Sequence, residues 1–277
     1  MLELLFYASS DESTGFLQDF CEVCKQSSFT VPWSITLEDP VLGGRLIIDM
    51  GRVELEQVGG GSQACRPEKA YEGWNRLAVS AHLPLSTPRW RALAALELLR
   101  PLLGRHPDIG ILDSEDTITN EGVEGPGAFD PIRILRSWEK LAGAFYQYRG
   151  AAVLGSQQSE ALRTYLSVRP EGKKSHPELC WGEPAVLSRD GAVRIAVLWS
   201  QPQLPLALPA VDVVVVPRSD GASLFEVSAL RALTDGLKLP GNCQRLSPKG
   251  VAPGGPLTGW RLLVDGEWTD ITVPNRE

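Results

Sequence analysis

Between residues 2 and 113, short strand-like and helix-like segments follow one another in the order β-α-β-β-β-α-β. This order restricts the fold more than any other feature of the chain. Leu2–Ala8 is a short apolar run that reads as a strand, and Ser10 is placed to cap a helix over residues 11–26. Residues 45–49 and 52–58 are strand-like and separated by Met50-Gly51, which predicts a hairpin ending in Gly59-Gly60-Gly61-Ser62. Residues 76–83 alternate as a further strand. Thr87 and Pro88 then open a very apolar helix running to Leu103, with Pro101 disturbing its last turn and Gly104 as its stop. Ile109–Asp113 closes the series as a short strand. Strands in succession with two helices between them predict an α+β fold, with mostly antiparallel sheets and helices packed on one face.

The chain has 277 residues, which at ~100–200 residues per domain predicts two domains. Residues 114–130 are polar and glycine-rich and read as a long loop; Asp130-Pro131 then starts a helix over residues 132–148 with Ile132, Leu135, Leu141 and Phe145 as a partial apolar stripe. The expected domains are therefore 1–128, acidic, and 129–277, richer in strands and opened by that helix. In the second half, residues 184–187 and 193–199 flank the hairpin signal Arg189-Asp190-Gly191, and residues 211–216 form a buried strand. Ser223 and Glu226 have capping-box spacing, which predicts a helix from there to Gly236. Residues 260–264 and 267–273 flank Asp265-Gly266, the clearest hairpin signal in the chain, and residues 239–256 read as a loop crowded with glycine and proline.

Residues 1–140 hold 21 Asp and Glu against 13 Lys and Arg, a net of −8; residues 141–277 hold 13 against 14, a net of +1. An acidic first half argues against nucleic acid as a partner and for a basic protein. No segment reaches the ~20 apolar residues of a membrane helix. The apolar start lacks a basic n-region, so no signal peptide is expected. Five cysteines, an odd number spread over the chain, do not form a secreted disulfide framework. The expected location is the cytoplasm, with reduced thiols and no membrane partner.

Motifs for catalysis are sparse. Cys21 and Cys24 form a CxxC, but with Phe16, Leu17 and Phe20 they fall on one apolar face late in the predicted helix, where a redox thiol would sit at its N-terminus. His82, His106 and His176 occur in no metal-binding spacing, and His82 is the best general-base candidate. There is no GxSxG, Walker or GxGxxG motif, and Ser137-Trp138-Glu139-Lys140 is a bare SxxK on a helix surface. No cofactor, metal site or catalytic residue is assigned.

The acidic loop is the most informative surface. Asp113, Glu115, Asp116, Glu121 and Glu124 lie in a stretch without Lys or Arg, and Ile118 occupies the place where an EF-hand needs Gly. These residues suit an electronegative docking surface for a basic protein. Trp33 and Trp181 stand in proline-containing, loop-like contexts and are the candidate aromatic anchors of the same partner surface. In composition the chain is similar to bacterial immunity proteins, which bind a cognate toxin and block it. The function expected is that of a non-enzymatic, immunity or antitoxin-type inhibitor of a basic toxin or effector. The alternative is a metal-dependent phosphoester hydrolase in which Asp113, Glu115 and Asp116 hold Mg²⁺ or Mn²⁺ and His82 serves as base.

Overall fold

The structure, a computed structural model, describes residues 1–9, 13–25, 33–50, 71–114, 125–219, 221–249 and 254–273. It divides into two units, Met1–Ala142 and Gly143–Glu277. The division falls inside the helix that the sequence assigns whole to the second half. Both units mix helices with mostly antiparallel sheets, the α+β class.

The first unit runs β1 (Leu2–Ala8), α1 (Ser13–Val23), β2 (Trp33–Glu38), β3 (Arg45–Met50), β4 (Asn75–Leu83), α2 (Arg89–Glu97), α3 (Arg100–Leu103), β5 (Ile109–Asp113) and the start of α4 (Pro131–Arg149). The expected order of elements is present, but its middle strands differ. Trp33–Glu38 is a strand that the sequence reading passed over, and the expected strand at 52–58 lies outside the described residues. The strands form one antiparallel sheet in the order β2-β3-β4-β1-β5.

Alternation along the strands sends Leu2, Leu4 and Phe6 of β1, Leu46 and Ile48 of β3, and Val79 and Ala81 of β4 to one buried face. Phe16 and Phe20 of α1 lie one helical turn apart, and both rings approach Phe6 at 5.9 Å between centroids. Trp138 of α4 donates its indole N–H to the Pro84 carbonyl at 2.8 Å, which fixes the helix against the end of β4. The expected helix 87–103 is broken in two at Leu98 and Leu99. Pro101 has no N–H for the carbonyl of Glu97, and its ring would clash there, so the chain restarts with the proline in the first turn of α3.

The second unit contains the end of α4 and then β6 (Ala152–Val153), α5 (Ser156–Ser175), β7 (Glu183–Arg189), β8 (Ala192–Leu198), β9 (Leu206–Leu208), β10 (Val213–Arg218), β11 (Gly221–Glu226) and α6 (Val227–Leu230). A 3₁₀ turn at Arg231–Leu233 leads to β12 (Thr234–Lys238), β13 (Gln244–Leu246), β14 (Gly255–Pro256), β15 (Arg261–Leu263) and β16 (Trp268–Thr269). Its main sheet has the order β14-β11-β10-β8-β7-β15; β9, β12 and β13 form a small second sheet, and β6 pairs with β16. In the main sheet β8 and β10 run parallel, and the intervening segment with β9 supplies the crossover that such a pair requires.

The hairpin at Asp190-Gly191 forms as expected, with both residues at positive φ (50° and 80°), the conformation of a type I′ turn. Two other expectations are corrected. Residues 223–226 belong to β11, because Ser223 and Phe225 alternate inward against the apolar β10; only the single turn α6 follows, and Gly236 lies in β12. The turn at Asp265-Gly266 closes with Glu267 N–H on Val264 O at 3.0 Å, but its flanks do not pair with each other. β15 joins β7 and β16 joins β6. Helix α5 was not anticipated: it is largely polar and holds Pro170 and Gly172.

Gly172 shows what the core of this unit demands. Trp181 is buried, with its ring stacked on Tyr165 at 6.2 Å, and a Cβ added to Gly172 would overlap the Trp181 ring. In a helix interior Ala is ordinarily ~1 kcal/mol better than Gly. Overpacking here costs ~1–3 kcal/mol and should win. Gly172→Ala is therefore expected to lower the unfolding free energy by about 1 kcal/mol or more, measured by urea denaturation. Stabilisation would contradict this packing.

Candidate functional site on the open face of the first sheet

The register that buries Leu4 turns its neighbours Glu3, Leu5 and Tyr7 to the opposite face of the sheet. Arg45, Ile47 and Asp49 of β3, and Arg76, Ser80 and His82 of β4, share that face. Its β1–β5 end is covered. Tyr71 meets Tyr7 edge to face at 5.7 Å, and the Arg76 guanidinium lies 5.6 Å from the same ring. Gly110 allows Trp74 and Pro126 to pack directly on the strand, since a Cβ there would meet both at 2.7 Å. Towards β2 the face opens, and Ser34, Thr36 and Glu38 are exposed.

A polar cluster occupies the centre of this open region. His82 Nε2 lies 2.9 Å from Asp49 Oδ2 and 3.1 Å from Ser80 Oγ, and Glu3 is the cross-strand neighbour of His82 on β1. The residue types are those of a Ser-His-Asp relay, but the geometry is different. A relay needs the serine and the carboxylate on opposite ring nitrogens, so that one orients the imidazole while the other gives up its proton. Here both partners meet Nε2: if that nitrogen carries the proton shared with Asp49, it has no lone pair for the Ser80 hydroxyl. The cluster therefore acts as a polar cross-strand contact. Glu38 pairs with Arg45 at 3.4 Å beside it, so Glu3, Glu38 and Asp49 stand against Arg45 and Arg76 on this face.

Asp113 lies elsewhere. It pairs with Leu4 across β1–β5, on the helix-packed face, and is fully buried. As a surface docking residue it is thus corrected: alternation at the end of β5 turns it inward. The Ser114 hydroxyl next to it accepts the Glu3 N–H at 3.2 Å. Because Glu3, not Leu4, pairs with His82, Asp113 and His82 sit on opposite faces of the sheet, and the hydrolase arrangement that joins them is not formed. Glu115, Asp116, Glu121 and Glu124 lie outside the described residues.

Trp33 opens β2, and its side chain lies outside what is described. Trp181 is buried in the second unit, with the neighbouring Tyr165 hydroxyl donating to Gly182 O at 2.9 Å, so it is a core residue in place of the expected surface anchor. Asp49 and Ser80 escaped the sequence reading. Their signal was a polar side chain in phase with Arg45 in β3, and a serine two residues from His82.

Among the described residues no three His, Cys, Asp or Glu side chains converge as metal ligands, and no helix is long and apolar enough to cross a membrane. No protein-family model matches the chain, and no curated protein or solved structure is found to be similar to it.

Cys21 and Cys24 are both buried beneath the sheet, as the apolar-face reading of the CxxC expects. Burial raises the Cys21 thiol, and burial together with Cys21 pushes Cys24 up to about 12. Cys243 is likewise pushed up to about 12 by burial. At pH 8 Cys24 and Cys243 are ionised to only about one part in ten thousand, and burial disfavours the Cys21 thiolate as well. A colourimetric disulfide reagent at pH 8 is expected to leave Cys21, Cys24 and Cys243 unreacted in the native protein and to titrate them on unfolding. Rapid native reaction of Cys21 or Cys24, located by mass spectrometry, would restore the redox reading.

Proposed function

We propose that the protein acts by binding another protein, as an immunity or antitoxin-type inhibitor of a basic toxin or effector, and that its first unit is the docking half. The supporting observation is the coincidence of charge with architecture. The boundary at Ala142 leaves the entire net −8 in the first unit, since Leu141 and Ala142 add no charge, and the second unit carries +1. The open sheet face adds a surface to that charge, with Glu3, Glu38 and Asp49 on three strands.

Such a field accelerates encounter with a basic partner while contributing less to the lifetime of the complex. Glu115, Asp116, Glu121 and Glu124 add four further carboxylates to the charge of the first unit. Asp113, being buried, belongs to the scaffold.

The test begins with affinity capture of the partner from the protein's own host at low salt. Association rates are then measured for the parent protein, for Glu38→Lys with Asp49→Lys, and for the four-residue reversal of Glu115, Asp116, Glu121 and Glu124 to Lys. At low ionic strength, where the Debye length is ~30 Å, the reversed proteins are expected to associate at least ~10-fold more slowly; at ~1 M salt, where it is ~3 Å, the rates should converge. Equal rates at low salt, or a captured partner that is acidic, would contradict the proposal.

A further inference from the structure

β2 is the outer strand of the first sheet and, among the described residues, pairs only with β3. Sheets ordinarily protect such an edge with a short strand, a bulge, lysine or proline, or a covering segment. The other edges of this protein are protected in these ways. At the far side of the same sheet, Ile111 of β5 exchanges both main-chain hydrogen bonds with Gly127, at 2.7 and 3.2 Å. In the second unit β14 has two residues, one of them Pro256, and β9 and β15 have three each. β12 carries Gly236, Lys238 and a shift of register, and β6 and β16 have two residues each. β2 instead runs six residues in unbroken register with β3, with neither a basic residue nor a proline among them.

The free side of β2 can be assigned residue by residue. Asp39 donates its N–H to Gly44 O at 2.7 Å and accepts the Gly43 N–H at 2.9 Å, so its main-chain groups point to the β3 side. These groups alternate along an antiparallel strand. Ile35 and Leu37 therefore direct theirs to β3, and Ser34, Thr36 and Glu38 direct theirs away from the sheet. Water can satisfy exposed main-chain groups, so openness alone selects no partner. The selection comes from the order of residues.

Pro32 and Pro40 stand four residues to either side of Thr36, and neither has an N–H to give. An antiparallel copy of β2 therefore fits in one register, with Thr36 opposite Thr36 and Ser34 opposite Glu38 at both ends. There the three outward-directed residues form three hydrogen-bonded pairs, each exchanging both bonds. A shift of two residues sets either Glu38 against position 32 or Ser34 against position 40, both prolines. A shift of four in one direction sets Glu38 against Glu38, and like charges directly opposite are destabilising. In the fitting register Ile35 lies against Leu37 of the second copy on the helix-packed face. Both are only partly buried in the single chain, whereas their β3 neighbours Ile48 and Leu46 are fully buried. Pairing thus covers an apolar flank that one chain leaves partly open.

We infer that two copies of this chain associate through β2, antiparallel about Thr36, joining their two five-stranded sheets into one. The contact is isologous, its two-fold axis passing through the Thr36 pair. It lies wholly within the first unit and uses the edge of the sheet, so it goes beyond the docking role of the open face and does not depend on it.

The test is sedimentation equilibrium of the full chain at ~0.15 M salt, with variants that read the register. The mass is expected to rise with concentration from that of one chain, 30.2 kDa, to twice that, with a dissociation constant of ~1–100 µM. Thr36→Pro removes the central N–H while leaving the β2–β3 bonds in place, and should weaken the dimer at least ~10-fold without changing the circular dichroism spectrum. Cross-linking gives a reading that does not depend on that variant. In a Cys65→Ser background the four remaining cysteines are buried. Thr36→Cys should there form a covalent dimer on mild oxidation, because a hydrogen-bonded pair holds its Cα atoms ~5.5 Å apart, within disulfide range. Ser34→Cys alone should not, since its two copies are offset by ~13 Å along the strands, but it should cross-link when mixed with Glu38→Cys. A mass that stays at one chain up to ~500 µM would overturn the inference, whether the edge is open or covered by the chain's own residues. So would a dimer that a folded Thr36→Pro leaves unchanged, or Ser34→Cys cross-linking as readily as Thr36→Cys.

Discussion

The hydrogen-bonded pairing of β1 with both β4 and β5 is the constraint from which the first unit takes its arrangement. Register fixes facing: Leu2 against Leu83, Leu4 against Ala81 and Asp113, Phe6 against Ile111. A slip by one residue would turn all these side chains to the other face. With Phe6 held inward, α1 has a place to put Phe16 and Phe20, and the two cysteines of the CxxC follow them into the core. With Glu3 held outward beside His82, the opposite face acquires its polar character. The separation of Asp113 from His82 is therefore a consequence of pairing, and it bears directly on which chemistry this surface can support.

Much of this was legible in the sequence, but unevenly. The apolar run at β1, the alternation of β4 and the spacing of Phe16, Phe20 and Cys24 each have a single physical reading, and the structure has those elements. The order of elements in the first unit was legible, although the strand at Trp33–Glu38 was passed over. Trp33–Glu38 alternates apolar and polar residues, a strand signal of its own that the reading passed over, and β3 gives it a full antiparallel register. In β11 the neighbour decides: Ser223 to Glu226 has capping-box spacing, yet the apolar β10 recruits it into the sheet. At Asp265-Gly266 the local turn is formed as its residues dictate, while tertiary pairing sends the flanks to different partners. Local chemistry specified turns reliably and partners poorly.

The candidate sites were less visible than the fold. An acidic total can be counted from a sequence, but whether one carboxylate is exposed depends on strand facing at a single residue, and Asp113 falls on the buried side. Trp181 stands in a loop-like, proline-containing context and is nevertheless covered, because Gly172 lets a helix approach its ring. A hollow beside the first turn of α5 in the second unit left almost no trace. Its polar groups come from α5, the segment before β10, the 3₁₀ turn and the approach to β13, and no spacing rule links positions so far apart. The recognition surface of the first unit is thus a charged, open sheet face.

The central claim is that the open face of the first sheet is covered by a basic partner. Carboxylate labelling of the isolated protein and of its captured complex, read by mass spectrometry, tests it most directly. Glu38 and Asp49 are partly exposed in the free protein, so both should be labelled there. In the complex their labelling is predicted to fall sharply while that of Glu171 and Glu178 in the second unit is unchanged. Protection confined to the second unit, or undiminished labelling of Glu38 and Asp49 in a stable complex, would contradict it.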